Sequence, residues 1–169
     1  MPLIRVHPEP GALEFCLQAS QHRTAIEAAV DYVNAGVARA LAEHTNDSFW
    51  WSTERDWVNE TIYQGAYLRQ YHLWEKGCRK YFLSQGVEIP RNPPNFSEHV
   101  KGILSSHFDL DVPNDVMDAL STMRRKVNRM KHEGGLQDGE FVSAADYEAD
   151  VAAIERFWEF LAGRELLRV

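Results

Sequence analysis

Apolar residues recur at steps of three and four in four separate stretches of the chain. Ile26, Val30, Val33, Val37 and Leu41 form one row. Tyr67, Tyr71, Trp74, Cys78 and Tyr81 form a second, and Val116, Leu120, Met123, Val127 and Met130 a third. Tyr147, Val151, Ile154, Trp158 and Leu161 complete the set. An α-helix turns once in about 3.6 residues, so such steps return to one face, and each row marks a helix that must bury that face. No stretch shows the period-two alternation of a half-buried strand.

Punctuation between the rows sets the boundaries. The first helix is expected over 22–43. Ser52 or Thr53 can cap a second helix over 53–85, Thr53 with Asp56 three residues on having the form of a capping box, and Trp50 and Trp51 staple its entry or fill the bundle end. Gly86 suits a helix stop. The loop GVEIPRNPPN cannot continue a helix, because Pro90, Pro93 and Pro94 remove donors and clash with the preceding turn. Ser97 can cap a short helix to about His107. Pro113 suits the first turn of the next helix, which Gly134 and Gly135 end. Ser143 with Asp146 forms another capping box before the last row. The expectation is an all-α antiparallel bundle of four main helices. One short extra helix lies between the second and third, an irregular N-terminal arm covers 1–20, and the helical domain covers 21–169.

With 169 residues the chain is long enough to bury a real core. Its net charge of -7 argues against holding duplex nucleic acid by bulk charge, so any contact with a polyanion must be local. No apolar run approaches the roughly 20 residues of a membrane span, and MPLIRVHPEPGALEFC lacks the pattern of a secretory signal. Cys16 and Cys78 form no CxxC, which points to a reduced cytoplasmic protein, with Cys78 in the core. No metal site is expected. The histidines lack ligand spacing, and in FDLDVPND the acids Asp109, Asp111 and Asp115 only mimic a calcium loop, because Pro113 interrupts them and Leu120 stands where a bidentate Glu is needed. No phosphate-binding glycine loop occurs, and no cofactor is implied. The aromatics of the second helix can stack on bases, although their spacing suits a core better.

Against this acidic background, RRKVNRMKHEGG concentrates positive charge between Arg124 and His132. Arg125 and His132 are seven residues apart, about 20° short of two full turns, so they share a face. Asn128 lies between them and Ser121 extends the row backward. This row is roughly opposite the core stripe of Met123 and Val127. Cations in a last turn followed by glycine also suit an ordinary helix end. The absence of any acid from Arg124 to Lys131 favours a more specific use. Arg can fork a phosphate, and His can move a proton near neutral pH.

At these residues the chain resembles the HEPN superfamily, small α-helical bundles in which a late core helix carries Arg, four to six residues, then His. Arg125, six intervening residues and His132 fit that pattern, and Asn128, Lys131, His132 and Gly134 resemble its N-x-x-K-H-x-G form. The resemblance implies a HEPN-type bundle and a metal-independent endoribonuclease working as a homodimer. In it Arg125, Asn128 and His132 are catalytic, and Arg124, Lys126, Arg129 and Lys131 position the RNA. A toxin or phage-defence effector, held by an antitoxin or other regulatory protein, is the setting it suggests. Where many active members have Asn, Asp or His directly after the Arg, this chain has Lys126. That departure supports a second expectation, a non-catalytic module that binds nucleotide, RNA or a protein partner through the same basic face.

Overall fold

The computed structural model describes residues 11–43, 48–132 and 142–166, with only the backbone described at 48–52, 54, 132, 165 and 166. These residues form helices α1 (Ala12–Glu43), α2 (Ser48–Ser84), α3 (Phe96–Phe108), α4 (Asn114–His132) and α5 (Ala144–Leu166). The described residues contain no strand.

Cross-helix contacts give the topology. Gln70 Nε2 bonds Ala19 O at 3.1 Å and Asn59 Nδ2 bonds Asn34 Oδ1 at 3.1 Å, so α1 and α2 run antiparallel. Lys126 meets Asp146 while Arg156 meets Asp115, so α4 and α5 are antiparallel as well. Tyr63 packs on Tyr147 and Trp74 on Phe157, which makes α2 and α5 parallel. α3 lies along α4, joined by Ser97 to Ser121 and by Lys101 to Asn114. The result is the expected all-helical bundle, with α5 against α1, α2 and α4.

The bundle interior is aromatic. Phe15 stacks on Trp158 with centroids 4.7 Å apart, and Trp74 makes edge contacts with Phe96 and Phe157. Tyr67, Tyr71, Trp74, Cys78 and Tyr81 are all buried, as their row requires. They are therefore closed to base stacking. Burial pushes the Cys78 thiol well above its ordinary pKa, as befits a core side chain.

Several boundaries differ from the expectation. α1 begins at Ala12, within the stretch expected to be an arm, because nothing after Gly11 breaks a helix and Phe15 and Ala19 extend the buried face. Residues 1–10 lie outside the described ones. α2 begins at Ser48, so Thr53 is inside the helix, and Asp56 pairs with Arg55 at 2.8 Å instead of closing a cap. The staple expected of Trp50 and Trp51 lies outside the described side chains, and Gly134 and Gly135 lie outside the described residues. The N-cap position of α3 is Asn95, not Ser97, which is buried against Ser121 at 2.9 Å.

Other signals appear where the sequence placed them. Gly86 takes φ 80°, the N–H of Val87 bonds Phe82 O at 2.8 Å, and that of Gly86 bonds Leu83 O at 3.0 Å. This is a Schellman stop, and only glycine adopts its φ without strain. Before α5, Asp146 N–H bonds Ser143 Oγ at 3.0 Å and Ser143 N–H bonds Asp146 Oδ2 at 3.3 Å, closing the capping box.

Candidate functional site on the outer face of α4

The loop between α2 and α3 builds one wall of the site. Its prolines leave carbonyls without backbone donors nearby, and two arginines supply them. Arg79 on α2 donates to the carbonyls of Ile89, Pro90 and Arg91 at 3.1, 2.8 and 2.9 Å, with its guanidinium 5.0 Å from the Phe96 ring centroid. Arg124 on α4 donates to Pro94 O at 2.7 Å and to Asn95 Oδ1 at 2.8 Å. Because Asn95 Oδ1 accepts from Arg124 and Ser97, it makes no capping bond to the first turn of α3.

Between this loop, the start of α3 and the outer face of α4 lies an open groove of about 470 Å3. Ser121, Arg125 and Asn128 line it, so α4 does bring together three members of the row read from the sequence. Arg125 is exposed and spends one donor on Thr122 Oγ1 at 3.0 Å. Asn128 is exposed and makes no hydrogen bond with another described residue. His132 is the last residue of α4, one helical turn beyond Asn128, and its side chain lies outside the described ones. Arg129 and Lys131 are exposed on the same helix but do not line the groove.

Arg124 lines the groove as well, with its guanidinium held by the loop, whereas Lys126 is engaged in the fold and does not line it. Lys126 Nζ contacts Asp146 Oδ1 at 3.0 Å and Asp150 Oδ2 at 3.2 Å, and sits 5.7 Å from the Tyr67 ring centroid. Tyr67 donates its hydroxyl to the same Asp150 oxygen. Burial works against the Lys126 charge, but the hydrogen bonds to Asp146 and the charge of Asp150 outweigh it, so its pKa lies above the ordinary lysine value. The hydrogen bond from Ser143, then that from Lys126, hold the Asp146 carboxyl below the usual range. Burial and the bond to Asp150 push the Tyr67 hydroxyl up, so it remains a donor.

Five groove residues escaped the sequence reading of the site, Pro94, Asn95, Thr122 and the two acids Glu98 and Asp118. Asp118 was legible in principle, since it stands seven residues before Arg125 on the same face of α4. Glu98 was not, because only the pairing of α3 with α4 brings it there. Among the described residues no cluster of His, Cys, Asp or Glu could hold a metal ion, and no helix is long and apolar enough to cross a membrane.

The groove thus offers a fork-shaped cation, an open amide and a hydroxyl beside a histidine-bearing helix end. Such a set can hold a phosphate. No protein-family model, curated protein or solved structure matches the chain.

Proposed function

We propose that the chain is a metal-independent endoribonuclease of HEPN type, acting as a homodimer through the outer face of α4. The observation that carries this reading is the lining of one groove by Arg125 and Asn128, with His132 one turn further along the same helix. RNA brings its own nucleophile. His132 takes the 2′-hydroxyl proton, the 2′-oxygen attacks phosphorus, and the bond to the 5′-oxygen breaks as that oxygen gains a proton. The products are a 2′,3′-cyclic phosphate and a 5′-hydroxyl. Arg125 stabilises charge developing on the phosphate, and Asn128 orients it. Arg129 and Lys131 draw in the strand by charge. A second copy opposite encloses a site that one exposed helix leaves open. A toxin or defence effector with a regulatory protein partner fits this activity. The test is RNA cleavage in EDTA by the purified chain, compared with its Arg125→Ala and His132→Ala variants.

One observation favours a second reading. Lys126 occupies the position after Arg125 where many active HEPN proteins carry a polar helper, and here it is turned to Asp146 and Asp150 on α5. In that reading the groove binds nucleotide or RNA without cutting it. Binding that weakens with salt, with no cyclic-phosphate product after long incubation, is the outcome it predicts.

A further inference from the structure

We propose that the α4 groove recognises a guanine base, a specificity that rests on the nucleotide-binding reading of the Arg125 face. The groove is not a plain phosphate track. Glu98 on α3 and Asp118 on α4 place two exposed carboxylates on its walls. Neither makes a hydrogen bond or ion pair with another described residue. Two uncommitted acids repel a sugar–phosphate chain, so a site for the backbone alone would omit them. Beside them stand a cation, Arg125, and the open amide of Asn128. The volume of about 470 Å3 lies within the range of small-ligand clefts.

A nucleotide that satisfies both halves needs an anionic phosphate and a base edge rich in donors. Guanine alone among the four common bases presents two adjacent donors, N1–H and N2–H, on its pairing edge. A carboxylate accepts both, as it would from an Arg fork. Adenine and cytosine offer one amino group beside an acceptor nitrogen that faces the carboxylate unfavourably. Uracil offers one N–H between two carbonyls. Proteins read unpaired RNA bases on these edges, so a groove in which Asp118 stands two helical turns from Arg125, with Glu98 on the facing helix, selects a single-stranded guanylate.

The experiment titrates the full chain with 3′-GMP, 3′-AMP, 3′-CMP and 3′-UMP, following amide shifts or heat of binding. Binding of 3′-GMP about tenfold tighter than of the others is expected. Glu98→Gln and Asp118→Asn should flatten that ranking without changing the circular-dichroism spectrum, and Arg125→Ala should weaken all four alike. Equal affinity for the four nucleotides, or no binding at millimolar concentration, overturns the proposal. So does a ranking that survives both carboxylate substitutions. Should a variant lose its fold, the ranking by the unmodified chain still decides. Binding needs no turnover, so guanine preference without RNA cleavage keeps this inference and removes the endoribonuclease. Cleavage without guanine preference does the reverse.

Discussion

Arg125 and Lys126 are neighbours in the chain, one turned to the groove and the other to the fold. Lys126 ties α4 to α5 through Asp146 and Asp150, and Asp150 is only 8% exposed. Removing the ammonium strands a buried carboxylate, so Lys126→Ala should cost about 1–3 kcal/mol in denaturant unfolding. Arg125→Ala, at an exposed position, should change stability by no more than about 0.5 kcal/mol. A reversed order of the two losses would show that Lys126 belongs to the site. Gly77 is the other telling residue. A Cβ there would stand 2.8 Å from the Trp158 ring and 3.2 Å from the Phe15 ring. The two rings stack on each other, so neither yields easily. Gly77→Ala should destabilise by about 1–3 kcal/mol through overpacking, although alanine is the better helix former. A more stable alanine variant would mean that the aromatic pair can shift.

Helix by helix, the apolar rows of α2, α4 and α5 mark faces that are buried, apart from half-buried Met130, whereas of the α1 row only Val30 is buried, because beyond it α1 packs on no more than the matching end of α2. The ends were less legible. Ser143 with Asp146 and Thr53 with Asp56 read alike in sequence, yet only the first pair closes a cap, because the turn before Thr53 is itself helical. The groove was half legible. Its α4 side follows from spacing along one helix, whereas Glu98 depends on how α3 packs, which spacing along a single helix does not report. The α5 cap also carries a pH signature. Asp146 has its carboxyl held low by Ser143 and Lys126, so the stability it adds is present above the unfolded value near pH 4 and is lost as pH falls through its depressed folded value. Lys126 is shifted the other way, and its contribution is lost only as pH rises past the ordinary lysine range. In unfolding titrations, Ser143→Ala should lower stability by about 1 kcal/mol at pH 7 and by less near pH 3. An equal loss at both pH values would remove Asp146 from the cap's energetics.

At the scale of the whole molecule, an acidic chain gathers five of its 18 Lys and Arg residues at the end of α4 and divides them. Some hold the loop and α5 in place, and Arg125 faces a groove that also carries uncommitted acids. The α1–α2 pair reaches past the core, since no described residue after Val30 on α1 or before Ala66 on α2 is fully buried. Tyr32 and Trp57 on that extension are 78% and 63% exposed. The central claim concerns the face of α4. It is tested most directly by incubating a single-stranded RNA in EDTA with the purified chain, and with Arg125→Ala and His132→Ala variants that retain the native helical spectrum. The account predicts fragments ending in 2′,3′-cyclic phosphate from the unmodified chain, and a loss of at least about a hundredfold in rate from each variant. Cleavage undiminished in the His132→Ala protein, or no cleavage by the unmodified chain, would contradict it.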